Sequence, residues 1–145
     1  MLLNKTLSFL VPSRLKPNED IIPDRVVWLS NKIQTEQLWR APIIVDSQSM
    51  SIMDGHHRYT VAMQLGLAKV PCLLFSYEEV EFWSTHPNIQ LTPHMVVEYA
   101  NKGIRLSPKS TYHQFKTPLP DCNVSLKLLL TDTCIDDPLK SLILL

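Results

Sequence analysis

The sequence predicts an α+β (α/β-like) domain, a small mixed sheet with helices packed against it. Three observations carry that expectation. Short apolar runs of strand length recur at residues 7–11, 43–46, 51–53 and 70–75. Helical spacing marks residues 24–34 and 56–65, and Thr92-Pro93 opens a further helix. The chain has 145 residues with no internal repeat or low-complexity tract, a length that suits one domain with a real core.

The elements follow in order. Residues 7–11 read as a strand closed by Pro12. Pro23 suits the first turn of a helix whose Val26, Val27, Leu29 and Ile33 recur at near-helical spacing. Residues 43–46 and 51–53 are short strands separated by the polar turn Ser47-Gln48-Ser49. The helix over 56–65 stops at Gly66, which serves as a C-terminal cap. Residues 70–75 alternate too little for an edge strand and read as a buried one. Thr92 caps a helix that Pro93 begins and Gly103 ends. Past Thr117 the signals weaken: Pro118, Pro120 and Pro138 interrupt the chain, and residues 124–130 suit a strand or a short helix. A single domain over 1–145 is expected, with its core at about 7–115 and a C-terminal extension at 116–145.

Composition narrows the function classes. Hydrophobic residues make up 45% and charged residues 19%, as in an ordered soluble protein. Lys+Arg and Asp+Glu are each 14, so the net charge is zero and no broad basic face for nucleic acid is expected. Cys72, Cys122 and Cys134 are an odd set without ligand-like spacing. They suit a reduced cytoplasmic compartment better than a disulfide framework, a metal centre or a haem site. The amino-terminal apolar run is too short and interrupted for a signal peptide or a membrane span, and the apolar residues 142–145 are too few to anchor the chain. The apolar C-terminal third would suit a homodimer interface.

Chemistry concentrates at Asp54-Gly55-His56-His57-Arg58. A strand that feeds a glycine turn and then a helix presents unbonded backbone N–H groups and a positive dipole end, which suits phosphate. His56, His57 and Arg58 add donors at that mouth, and charge-assisted bonds from Arg58 are the strong kind. Adjacent helical residues point about 100° apart, so one histidine is expected on phosphate and the other on substrate or a neighbouring loop. Asp54 fits an N-cap, and equally a carboxylate that holds Mg²⁺ against phosphates or orients an acceptor hydroxyl. Trp83 reads as a core aromatic by default, and Trp28 and Trp39 are expected to pack.

The same residues carry a resemblance. Asp54-Gly55-His56-His57-Arg58, followed by an apolar helix, Leu65-Gly66-Leu67 and Val70-Pro71, resembles the phosphate-binding box of the ParB/sulfiredoxin superfamily. Within it, the pattern is most similar to the branch containing kinases of free L-serine. Leu15-Lys16-Pro17-Asn18-Glu19 resembles the box in which those kinases carry an essential glutamate. Ser107-Pro108-Lys109-Ser110-Thr111-Tyr112-His113 resembles their Pro-Lys-Thr-Thr-Arg-His segment, with Tyr112 in place of the arginine. The match spans roughly residues 10–115.

The resemblance implies a ParB/sulfiredoxin-like fold and phosphoryl transfer from ATP or ADP to free L-serine, giving O-phospho-L-serine. Gly55, His56, His57 and Arg58 would hold the nucleotide phosphates, with Mg²⁺ at Asp54. Glu19 would take the hydroxyl proton, with Asp20 its neighbouring competitor. Lys109, Ser110, Thr111 and His113 would hold phosphoryl and carboxylate groups, and Trp83 would line the substrate pocket. Tyr112 removes one cationic phosphate contact, for which Lys109 offers a point charge and not a planar fork. The alternative is a nucleotide-gated DNA-binding or regulatory protein, yet no basic recognition helix is visible and little chain follows residue 115. A sulfinic-acid reductase needs a cysteine in the box, where His56 stands.

Overall fold

Burial on both faces picks out the centre of the sheet. In the computed structural model, which describes residues 5–131, β3 (Ile43–Asp46) is buried along its whole length and β5 (Val70–Phe75) nearly so. The two run parallel, with Ile43 opposite Cys72 and Asp46 opposite Phe75. β1 (Ser8–Leu10) flanks β5 and β4 (Ile52–Asp54) flanks β3, both antiparallel, giving the order β1-β5-β3-β4. Parallel strands need a crossover, and α2 (His56–Leu65) supplies it between β4 and β5.

The two-residue period of the strands sorts two cores. Ile43, Val45, Val70 and Cys72 pack on one face with Val26 and Ile33 of α1 (Pro23–Glu36) and Val61 of α2. Ile44, Leu73 and Phe75 face the other way and meet Val80. That second face is covered by a hairpin-like pair, β6 (Val80–Ser84) and β7 (Thr111–Phe115), with Phe82 opposite His113. Between them in sequence lies α3 (Pro93–Lys102), whose Val96 packs on Leu91 and Leu106. Its Thr92 hydroxyl accepts from the Met95 N–H, and Gly103 takes the left-handed cap at φ 71°, as the sequence predicts.

Three elements were not legible in the pattern. β2 (Leu38–Trp39) is two residues long, and β6 and β7 are half polar. Residues 124–130 resolve into both alternatives, β8 (Val124–Ser125), which pairs with β2, and then α4 (Leu126–Leu129). Of the residues beyond 115, those to Thr131 are described; Cys134, Pro138 and the apolar 142–145 lie outside. Val27, expected on the packed face of α1, is 59% exposed, because the buried stripe runs through Val26 and Ile33. No helix among the described residues is long and apolar enough to cross a membrane.

Ile43 is fully buried and also backs the turn that starts α2. Truncation to Ile43→Ala is expected to lower unfolding free energy by about 2–5 kcal/mol in urea denaturation, the cost of a large-to-small core change. A loss below about 1 kcal/mol would mean that the central strand is not packed as described.

Candidate active site

The site begins at Gly55. Its φ of +108° lies where L side chains are strained, and a Cβ there would sit 3.4 Å from three atoms of Ile43. This lets the chain leave β4 and enter α2 with the first turn against β3. No side chain caps α2, and the first helical bond runs from the Tyr59 N–H to the Gly55 carbonyl at 2.8 Å. The N-cap reading of Asp54 is therefore corrected. Gly55 holds that position, and Asp54 stands exposed at the end of β4.

The histidines do something the sequence did not disclose. His56 Nε2 accepts the backbone N–H of Asn18 at 3.1 Å, and His57 Nε2 accepts that of Ile22 at 3.0 Å. They hold the two ends of the loop that carries Glu19. One histidine was expected on phosphate and the other on substrate or a neighbouring loop; in the structure the Nε2 of each accepts from the loop that carries Glu19. An accepting Nε2 requires a neutral ring protonated at Nδ1. Burial pushes the His56 pKa down to about 3, with help from Arg105. His57 is lowered by burial and then by Arg25, Arg58 and Lys109. Asn18, itself 1% exposed, ties the loop further through its side-chain amide to Ser51 Oγ at 2.8 Å and the Ile52 carbonyl at 2.9 Å.

Glu19 is fixed from the other side by β7. Its Oε1 accepts from the Thr111 N–H at 3.0 Å and from the Thr111 hydroxyl at 2.8 Å. The loop pairs with Leu106, whose carbonyl accepts the Asp20 N–H and whose N–H donates to the Asn18 carbonyl. Burial raises the Glu19 pKa and outweighs the lowering by Thr111 and the loop amides of Lys109 and Ser110. Asp20 is exposed. The geometry thus separates the two neighbours, with Glu19 held and partly desolvated.

A cleft of about 570 Å³ joins these parts. Glu19, Asp54, Gly55, His56, His57 and Arg58 line it, with Lys109 and Thr111 opposite. Lys109 sits at a positive φ of 61°, and its carbonyl accepts the Thr85 hydroxyl at 2.6 Å. Three expected residues fall outside the wall. Trp83 points outward from β6, 45% exposed and not in the core, and packs on Tyr112, ring centroids 5.6 Å apart; Tyr112 lines the cleft and Trp83 does not. Ser110 is 1% exposed, its hydroxyl spent on the Ser107 carbonyl at 2.6 Å. His113 lies beneath the site, bonded to the Tyr77 hydroxyl at 3.0 Å and packed on Phe82. Burial pushes its pKa down to about 4.

Sequence reasoning also missed Arg25 and Trp28, both on the cleft wall. Arg25 carried a signal. A cation in the first turn of a helix opposes the dipole and asks for a reason. With Arg58 and Lys109 it surrounds His57 on a cleft whose walls also carry Glu19, Asp20 and Asp54.

The four-stranded mixed sheet, with four helices among the described residues, has the fold of solved free serine kinases. A solved free serine kinase in complex with AMP superposes with a TM-score of 0.75 at 14% identity, over 85% of this chain and 93% of that one. By sequence, the chain is 42% identical over 80 residues to a ParB-like protein of Sulfolobus acidocaldarius, 54% of this chain and 40% of that protein. It is 34% identical over 100 residues to an ATP-dependent L-serine kinase of Staphylothermus marinus, 64% of this chain and 40% of that protein. The chain thus spans about two-fifths of the length of these relatives. No protein-family model matches it.

The neutral histidines and the Gly55 turn each carry an expectation. The unfolded chain protonates histidine near pH 6.5, whereas the folded chain keeps His56 neutral down to about 3 and His113 to about 4. Stability is then fully present above pH 6.5 and declines as the pH falls toward those values, each unit of depression worth about 1.4 kcal/mol. Urea midpoints measured from pH 7 to 4 should fall steadily; a flat profile contradicts buried neutral imidazoles. Second, Gly55→Ala should cost about 1–2 kcal/mol by thermal unfolding, from the left-handed backbone alone. An unchanged melting temperature contradicts the turn.

Proposed function

We propose that this chain transfers a phosphoryl group from a nucleoside triphosphate or diphosphate, ATP or ADP, to the hydroxyl of free L-serine. The observation that carries the reading is Glu19, a partly buried carboxylate of raised basicity, held across a cleft lined by Arg25, Arg58 and Lys109 from an uncapped helix start. The names of the relatives support the same reaction.

The chemistry follows from the residues. The α2 first turn and Arg58 take the donor phosphates, with Arg25 and Lys109 completing the positive rim. The serine oxygen attacks the terminal phosphorus, the bond to the bridging oxygen breaks, and the nucleotide leaves with one phosphate fewer. Glu19 accepts the hydroxyl proton, and the raised pKa makes it a better base than a solvated carboxylate. Thr111 keeps that carboxylate from rotating away. Lys109 faces the incoming groups as a point charge, so the loss of the family arginine at Tyr112 leaves Arg25 and Arg58 as the planar donors. Most of the work is positioning and charge.

Mg²⁺ fits this donor set in one way. Among the described residues no group of three or more His, Cys, Asp or Glu side chains could hold a metal alone. Mg²⁺ asks for less, one or two carboxylates with phosphate oxygens and water. Exposed Asp54, at the mouth of the phosphate turn, is the carboxylate that fits. When bound, the ion neutralises phosphate charge.

The test is to incubate the protein with Mg²⁺, L-serine and ATP or ADP and to detect O-phosphoserine by mass spectrometry. Product is expected, and Glu19→Gln should reduce its rate by about 10²–10⁴-fold. The acid limb of kcat/KM should lie above the ordinary carboxylate pKa of 4.5, since Glu19 must be ionised to act. Nucleotide binding without product would overturn the kinase and favour a nucleotide-gated regulator, in keeping with the ParB-like relative. The histidine staples predict a further outcome. His57→Phe should lower kcat more than it raises KM, and His57→Gln, which keeps an acceptor, should restore part of it.

A further inference from the structure

One more side chain on the cleft wall has bonds that lead back to Glu19. Thr85 follows β6 directly and is exposed on that wall. Its N–H donates to the Ser110 carbonyl at 2.9 Å, which continues the β6–β7 ladder. Its hydroxyl donates to the Lys109 carbonyl at 2.6 Å, a bond the ladder does not need. An exposed hydroxyl has water as a ready partner, so a bond this short to one carbonyl asks for a reason.

The reason lies in the two peptide groups that Thr85 holds. In a planar trans peptide the C=O and N–H point to opposite sides. With the Ser110 carbonyl on the Thr85 N–H, the Thr111 N–H faces away and meets Glu19 Oε1 at 3.0 Å. With the Lys109 carbonyl on the Thr85 hydroxyl, the Ser110 N–H turns toward the same carboxylate, and the Lys109 N–H joins it. Lys109 reaches this geometry at a φ of 61°, a left-handed conformation uncommon outside glycine. Successive N–H groups around such a residue form a concavity for an anion. Ser110 secures the far side, its hydroxyl on the Ser107 carbonyl at 2.6 Å. Glu19 thus sits in a backbone cradle held from behind by Thr85.

We propose that Thr85 is a positioning residue: its hydroxyl holds the left-handed turn at Lys109, and that turn keeps the Glu19 carboxylate where it can take the acceptor proton. The inference rests on the reading of Glu19 as the base and adds a residue that acts through the backbone, not on the substrate.

Thr85→Val and Thr85→Ser separate the hydroxyl from the rest of the side chain. Both keep the backbone N–H, and the residue is exposed, so both should fold, with melting curves as the check. Thr85→Val should lower kcat about threefold to tenfold, the contribution of one hydrogen bond, with KM for L-serine and for the nucleotide near wild type. Thr85→Ser should recover most of that loss. Independently of activity, the Ser110 amide proton should move upfield in Thr85→Val, as in Glu19→Ala, and return in Thr85→Ser. Wild-type kcat with an unmoved Ser110 amide in Thr85→Val overturns the proposal, as does equal impairment in Thr85→Ser. Wild-type protein that makes no O-phosphoserine overturns the kinase reading instead, and the Ser110 amide then decides whether Thr85 sets the cradle.

Discussion

Two hydrogen bonds from backbone to imidazole organise the site. The N–H groups of Asn18 and Ile22 end on His56 and His57, and those bonds bracket the loop that bears Glu19. Without them the loop would have two orphan donors near the sheet edge, each worth roughly 1–3 kcal/mol if buried. With them, the start of α2 and the carboxylate move as one unit. Gly55 fixes where that helix starts, and Thr111 fixes where the carboxylate ends. The site is thus closed by bonds from three separate stretches of chain, none of which depends on a long flexible side chain.

That construction explains an electrostatic pairing which would otherwise look unstable. Arg25, Arg58 and Lys109 crowd around His57, and a charged imidazole there would be a fourth cation. Held neutral as an acceptor, it leaves the positive charge there to Arg25, Arg58 and Lys109. Burial meanwhile raises the pKa of the one carboxylate that is tethered in the cleft. A cleft with fixed cations and a desolvated base needs little rearrangement to stabilise a shifting negative charge. The zero net charge of the chain gives no sign of this gathering of charges of both signs in one cleft.

The sequence was most readable where short-range rules dominate. Gly55 and Gly66 bound α2, and Thr92, Pro93 and Gly103 bound α3, as local capping chemistry requires. The run at 70–75 showed its burial because a strand covered on both faces loses alternation. The β6–β7 pair was opaque, since Thr-Tyr-His-Gln-Phe reads as a polar loop until Phe75 and Val80 bury one side of it. Within the site, Asp54 to Arg58 stood out as a unit, and Glu19 was marked only through resemblance. What each histidine nitrogen faces is a tertiary fact, settled by a loop 35 to 38 positions away. Trp28 was hidden for the opposite reason. Its helix pattern suggested packing, and only the fold leaves that turn of α1 beside a cavity.

The arrangement of the histidines is the claim on which the rest depends, and nitrogen NMR of the labelled side chains tests it most directly. At neutral pH both rings should be neutral, protonated at Nδ1, with Nε2 coupled to the amides of Asn18 and Ile22. Imidazolium at either position, or a proton on Nε2, would contradict the account and release the Glu19 loop from the helix that is held to aim it.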